Sequence, residues 1–228
     1  MRISIIVPAL NEAACIAETL EALRRLEGDK EIIVVDGGSG DNTCAIAVAQ
    51  GVDVLTARRG RGTQMHAGTL NATGDVLWFI HADTVPPPDA LSEIQRYLED
   101  PSVVAGNFGL LFDGPSRAAK QLTVIYPILR SLRLCYGDSG IFIRRTTYDA
   151  IGGFRPLALF EDLDLLRRLC KAGKFVHVQS QIRTSSRRFE QRNFAMMWVH
   201  WTTLQILYWC GVSPNWLARW YGHARSLR

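Results

Sequence analysis

The sequence predicts an α/β fold, a mostly parallel sheet flanked by helices with a helical segment at the C-terminal end. Three observations carry this. β-Branched runs alternate with amphipathic stretches through the first half. The joins between them are short. Polar residues stand directly after each apolar run. Strand–helix alternation with short joins implies parallel strands, covered on both faces and wound right-handed.

Taken in order, residues 2–7 and 31–35 are β-branched runs followed by turn chemistry, and 52–56 and 75–80 are similar. Between the first two, Ile16, Leu20, Leu23 and Leu26 form one apolar helical face. Asn11 is its expected N-cap, and Gly28 lies just past its end. Residues 41–50 and 63–72 are shorter helix candidates closed by Gly51 and Gly74. Residues 88–98 open on proline and place Leu91, Ile94 and Leu98 in register. The second half is less regular. Residues 103–112 read as a strand, 117–132 as a helix interrupted near Pro127, and 139–144 as a short strand. Residues 161–171 read as a helix and 175–179 as a strand. No repeat or low-complexity linker divides the chain. One catalytic domain over residues 1–189 is expected, then an aromatic-rich helical extension over 190–228.

The bulk numbers fit that size. A chain of 228 residues, 47% hydrophobic, builds one large domain with a small appendage. The net charge of +4 permits a basic patch for phosphates or lipid headgroups and does not call for nucleic acid as a partner. Cys15, Cys44, Cys135, Cys170 and Cys210 are scattered, with no C-x-x-C pair. That argues against a disulfide framework or a zinc ribbon and for a reducing cytosol. The chain enters its first strand pattern without a signal-peptide pattern, so a cytoplasmic protein is expected.

Residues 194–210 are rich in Trp, Met, Leu and Tyr, interrupted by His200, Thr202, Thr203 and Gln205. As a membrane span the stretch is marginal in length and polarity. The favoured reading is a helix packed on the domain or on a second subunit, which suits a homodimer. The alternative is an interfacial helix at the inner face of the membrane, assisted by Arg187, Arg188 and Arg192.

In open parallel sheets the site lies beyond the carboxyl ends of the strands. Residues 8–12, 36–42, 57–62 and 81–86 all fall there, so four strands deliver polar residues to one rim. Asp36 is followed by Gly37-Gly38-Ser39-Gly40, a turn that lets backbone approach a ligand, and its carboxylate suits a nucleobase or ribose. Asp41 is expected to cap the next helix. No G-x-G-x-x-G follows the first strand and no G-x-x-x-x-G-K-[ST] occurs, which disfavours nicotinamide and P-loop chemistry. Arg58, Arg59 and Arg61 could hold phosphate or form a solvated basic loop. Asp83 ends an apolar strand, two residues after His81, so the two could point to one side. A carboxylate there suits Mg²⁺ or Mn²⁺, or a turn cap. Glu161-Asp162, ahead of a helical pattern, suits either a helix macrodipole or a general base. Gly152-Gly153-Phe154 is a turn that could close over a substrate.

Together these residues resemble the family-2 inverting glycosyltransferases with a GT-A fold, a Rossmann-like sheet. The matches run in order: Ile5-Ile6-Val7-Pro8-Ala9-Leu10-Asn11-Glu12, then Ile32-Ile33-Val34-Val35-Asp36-Gly37-Gly38-Ser39-Gly40-Asp41-Asn42-Thr43. After them come Gly74-Asp75-Val76-Leu77-Trp78-Phe79-Ile80-His81-Ala82-Asp83, and Gly152-Gly153-Phe154 leading to Glu161-Asp162. The H-A-D-T variant, Tyr136-Gly137-Asp138-Ser139-Gly140 and Ser185-Ser186-Arg187-Arg188-Phe189 look like a small bacterial subgroup.

The resemblance implies transfer of one sugar from a nucleoside-diphosphate sugar, UDP-linked in the broad family, to a hydroxyl on a small molecule or lipid. Pro8, Ala9, Asn11 and Glu12 would line the nucleotide pocket, with Asp36 and Gly37 at the base and Ala82 beside the donor. Asp83 would ligate Mn²⁺ or Mg²⁺, with His81 where the family usually carries an acid. Arg61, Arg187 and Arg188 would face the diphosphate. Asp162 would be the base, with Glu161 beside it. The Q-x-x-R-W motif of processive synthases is missing, so a single transfer is expected. The rivals are a sugar-nucleotidyltransferase, which would want a glycine-rich basic loop after the first strand, and a membrane-docked binding protein.

Overall fold

The computed structural model describes residues 1–114, 117–131, 137–185 and 194–226. Strands β1 (Ile3–Ala9), β2 (Lys30–Asp36), β3 (Asp53–Thr56) and β4 (Val76–Phe79) alternate with helices α1 (Ile16–Arg25), α2 (Thr43–Ala49) and α3 (Arg61–Asn71). A two-residue strand β5 (Thr84–Val85) and α4 (Ala90–Tyr97) follow, then β6 (Val103–Asp113) and α5 (Arg117–Ser131). A 3-10 turn at Gly137–Ser139 leads to β7 (Phe142–Arg144), α6 (Arg145–Ala150), α7 (Glu161–Ala172) and β8 (Lys174–Ser185). Two helices close the chain, α8 (Phe194–Trp209) and α9 (Pro214–Ser226).

The strands form one mixed sheet in the order β3-β2-β1-β4-β7-β6-β8-β5. The four pairings β3–β2, β2–β1, β1–β4 and β6–β8 are parallel; β7 and β5 run antiparallel to their neighbours. β1 is central because its side chains are apolar on both faces. Ile5 and Val7 enter one core layer with Leu20, Leu23 and Trp78, whereas Ile6 enters the other with Val35, Met65 and Phe79. α3 lies close against the second layer. A Cβ at Gly68 would come 2.6 Å from Ile6 Cγ2, so only glycine lets the helix approach so far.

The structure departs from the sequence reading at several places. α1 begins at Ile16 after Cys15, so Asn11 is not its cap. Asn11 instead has φ 55° and uses its side-chain oxygen on a loop. Pro127 sits inside α5 without ending it, and the strand expected over 139–144 is confined to Phe142–Arg144, with Ser139 in the 3-10 turn. β8 runs to Ser185, well past residue 179, because its second half pairs with β6 around an irregularity between Asn107 and Gly109. Period alone does not reveal β5, which exists only through its pairing with β8.

Candidate active site

The first part of the site is a laced rim at the ends of β1 and β2. Asn11 N–H donates to Ser39 Oγ at 2.9 Å, and Gly40 N–H donates back to Asn11 Oδ1 at 2.8 Å. Glu12 N–H reaches Thr43 Oγ1 at 2.8 Å, and Ala13 N–H reaches Asp41 Oδ2 at 3.1 Å. Asp41 also accepts Thr43 N–H at 3.0 Å, just at the start of α2. Asn11 occupies the left-handed region, which asparagine tolerates better than most residues.

Asp36 is buried, and its carboxylate turns back on its own loop. It accepts Gly38 N–H at 2.8 Å, Ser39 N–H at 3.0 Å and the Ser39 hydroxyl at 2.5 Å. Burial pushes its pKa up, but these bonds outweigh it and hold the group below the ordinary carboxylate value. Gln64 gives no motif in the sequence, yet it is buried and bonds Ala9 C=O and Val35 C=O, both at 2.8 Å. It ties the ends of β1 and β2 beneath Gly37, where a Cβ would meet its amide at 2.9 Å. The only available signal was a polar residue on the buried face of α3.

The second part is the loop after β4. The strand ends at Phe79 and the chain turns at Ala82–Asp83, closed by Thr84 N–H to His81 C=O at 3.2 Å. The strand alternation invoked to align His81 with Asp83 therefore does not apply. His81 is buried, whereas Asp83 is half-buried and lines a cleft of about 180 Å³ with Cys15, Glu18, Asp113 and Arg183. Thr19 holds this loop through a 2.8 Å bond to Ala82 C=O, and Ser185 N–H bonds Asp83 C=O at 3.2 Å. Among the described residues the Asp83 carboxylate makes no hydrogen bond or ion pair. Arg187 and Arg188 lie outside the described residues.

The third part is the head of α7, where Glu161 and Asp162 are the first two helical residues and both are buried. Arg61, from the start of α3, ion-pairs with Glu161 and lies 3.6 Å from Asp162 Oδ2. Arg61 thus sits against the acids rather than in a solvated loop. Burial alone would loosen its proton, but the charges of Glu161 and Asp162 outweigh this and raise its pKa. Gly62 packs on Glu161, where a Cβ would lie 3.1 Å from the side chain. Asp162 Oδ1 also takes Leu163 N–H at 2.8 Å. Asp164 differs: it is held by Arg168 at 2.7 Å and Arg155 at 3.3 Å. In the Gly152-Gly153-Phe154 turn, read as a closing flap, Gly152 is exposed but Gly153 and Phe154 are buried. Phe154 meets Phe79 edge-on at 5.0 Å and donates its N–H to Tyr148 Oη at 3.0 Å.

Phe160, immediately before the acids, has φ 63°, an unfavourable conformation for a bulky residue. Its ring is fully engaged, stacked on Tyr208 at 4.9 Å and edge-on to Trp201 at 6.3 Å. Leu159, Phe160 and Leu163 form one cluster with Leu204 of α8 and Leu217 of α9. The C-terminal helices therefore brace the segment that presents the acids. Nothing in local sequence pattern indicated that contact.

A parallel β3-β2-β1-β4 core with polar residues at its carboxyl rim, continued by an antiparallel strand and an acidic helix, defines a GT-A-like fold. The chain matches the model of glycosyl transferase family 2 over residues 4–157 and belongs to that family. It is 31% identical over 194 residues to the uncharacterized glycosyltransferase YaiP of Escherichia coli strain K12, covering 75% of this chain and 48% of that one. The structure is similar to S. aureus TarS 1-349 in complex with UDP-GlcNAc, with TM-score 0.68 and 16% identity, over 86% of this chain and 61% of that one. It is also similar to the mannosyltransferase PcManGT of Pyrobaculum calidifontis in complex with GDP-Man and Mn²⁺, with TM-score 0.66 and 20% identity, over 89% and 59%. The chain spans less than half the length of the curated relatives it matches.

Proposed function

We propose that this chain transfers one sugar, with inversion, from a UDP-linked donor to an acceptor hydroxyl on a small molecule or lipid. The observation that carries the reading is the Arg61 bridge. It fastens Glu161 and Asp162 to the start of α3, the helix that follows β3. The family supports sugar transfer, and the TarS and PcManGT complexes hold nucleotide sugars on the same fold.

In this reading Pro8, Ala9, Asn11, Glu12, Asp36 and Gly37 contact the nucleotide. Asp36 acts chiefly by shaping the 37–39 loop, since its oxygens already accept that loop's N–H groups. Asp162 takes the proton from the acceptor hydroxyl, whose oxygen attacks the anomeric carbon as the bond to the diphosphate breaks. Glu161 fixes Arg61, and Arg61 holds Asp162 in place. Arg187 and Arg188, which lie outside the described residues, are assigned to the diphosphate as part of the same proposal. The H-A-D-T subgroup assignment and the division at residue 189 belong to the same proposal.

Among the described residues no three His, Cys, Asp or Glu side chains converge as a metal cage. Mn²⁺ and Mg²⁺ take one or two carboxylates and complete their shells with phosphate oxygens and water. Asp83, half-buried and uncommitted, fits as the carboxylate, with His81 beside it in the chain. When bound, the ion would neutralise charge on the departing diphosphate.

Thermal unfolding with a panel of nucleoside diphosphates, each with and without Mn²⁺, tests the reading. Saturation near 100 Kd adds roughly 2.7 kcal/mol. UDP with Mn²⁺ should raise Tm, and Asp83→Ala should erase the metal-dependent part. A folded sample that responds to no diphosphate would overturn the donor site.

A further inference from the structure

Gln64 places a primary amide on the buried face of α3, where apolar side chains are the rule. A polar group there is costly unless its bonds are made. Gln64 is 4% exposed and uses both its N–H groups and its oxygen. Nε2 donates to Ala9 C=O and to Val35 C=O, each at 2.8 Å. Oε1 accepts Gly60 N–H at 3.4 Å. The backbone N–H closes the first turn of α3 on Gly60 C=O at 2.8 Å. One side chain thus joins the ends of β1 and β2 to the start of α3.

Those strand ends bear the rim. Ala9 lies opposite Asp36 at the last rung of the β1–β2 ladder, and its C=O also takes Gly37 N–H at 2.9 Å. Beyond that rung the loops are laced through Asn11, Ser39 and Gly40. The amide therefore fixes the spacing of the two strand ends where the sheet's own ladder stops. Gly37 shows how closely it is seated. Its φ lies outside the left-handed region, so the backbone there does not call for glycine. A Cβ would come 2.9 Å from Gln64 Oε1 and 3.0 Å from Nε2, and the amide takes that room. Arg61, one turn earlier on α3, holds the acids of α7 through bonds that do not involve Gln64.

We infer that Gln64 is a positioning residue for the donor nucleotide, an assignment that rests on the donor site proposed above. It acts through Ala9, Val35 and Gly37, by holding the 10–12 and 37–40 loops at the separation that the nucleotide bridges. Without the amide, the rim spends less of its time in the binding arrangement, and apparent affinity falls by that fraction. The acids keep their own anchor on Arg61.

Calorimetric titration of the full chain with UDP and with GDP, each with Mn²⁺, tests this. Gln64→Met keeps the length of the side chain and loses its donors. Affinity for the diphosphate that wild type binds should fall about tenfold. Gly37→Ala, which drives the amide from its seat, should weaken binding in the same direction. In a Gln64→Ala background, Gly37→Ala should cost nothing more, because the amide it would displace is gone. Gln50 is the contrasting case, since its amide bonds Ala17 C=O at 3.2 Å at the far end of α2. Gln50→Met should lower Tm and leave affinity unchanged. Should Gln64→Met not fold, Gly37→Ala carries the test, and wild-type affinity in that variant overturns the proposal. Wild-type affinity in a folded Gln64→Met overturns it too, as does a full further loss from Gly37→Ala in the Gln64→Ala background or an equal loss in Gln50→Met. Each of these leaves the donor site standing. A folded wild type that binds neither diphosphate removes the donor site, and the role of Gln64 with it.

Discussion

The two halves of this molecule fix their polar residues by different means. In the β1–β4 half, neighbouring loops lace each other, with partners 28 to 31 positions apart. In the second half, Glu161 is joined to Arg61 across 100 positions, and the preceding Phe160 is held by rings from α8. The rim is assembled from consecutive β–α units. The acids depend on contacts between remote segments. Damage to the first half should therefore appear in donor binding, and damage to the second in turnover.

Asp162→Asn tests that division most strongly. It should lower kcat by about 10²–10⁴-fold, the range of a positioned general base, while UDP–Mn²⁺ binding stays near wild type. Paired measurements of diphosphate release and calorimetric UDP affinity check it. Normal turnover would remove Asp162 from the mechanism.

Phe160 comes next. Phe160→Ala removes a buried ring and should destabilise the chain by about 3–5 kcal/mol in urea unfolding. Phe160→Gly loses the same contacts but relieves the left-handed backbone at φ 63°. It should be more stable than the alanine variant by about 1 kcal/mol. If glycine is no better than alanine, the backbone there carries no strain.

These contrasts also explain what could be read from sequence. β1, β2 and β4 were legible because a strand buried on both faces is an unbroken apolar run, as in Ile5-Ile6-Val7 and Ile33-Val34-Val35. Asp36 stood out because a carboxylate directly after such a run is unusual, and Asp83 because it stands three residues beyond Ile80. β5 was not legible, because two residues become a strand only through Thr84 opposite Thr184. Nor was the role of Gln64, which depends on carbonyls of two different strands. Arg61 was legible as one cation of a basic stretch with Arg58 and Arg59, but its partners lie in α7, and no local pattern reports them. The brace on Phe160 was hidden for the same reason.

Arg61 separates two roles of smaller effect. Its side chain is 36% exposed, so solvent screens the pair, and Arg61→Met should cost about 1–2 kcal/mol. As a positioning residue for Asp162, it should lower kcat and leave UDP affinity unchanged. A variant that loses UDP affinity while keeping kcat would move Arg61 to the diphosphate.

The smallest effect belongs to the first half and is read in pH. Asp36 has a folded-state pKa below its ordinary value because the Ser39 and Gly38 bonds outweigh burial. In the unfolded chain it titrates near 3.9. As pH falls, the unfolded state takes up this proton first, so stability rises with pH in that window. The contribution is complete above the unfolded value and lost as pH drops through the folded one. Asp36→Asn removes it, so the variant's stability should change less than wild type's between about pH 5 and 3. Urea midpoints taken in half-unit steps measure the two slopes. Glu31, at the far edge of β2, is depressed by Ser4 and Thr73 and should retain its own share of the slope in the variant. Coincident slopes would mean that the Asp36 bonds add nothing to the rim, and that its lacing by Asn11, Glu12 and Ala13 suffices.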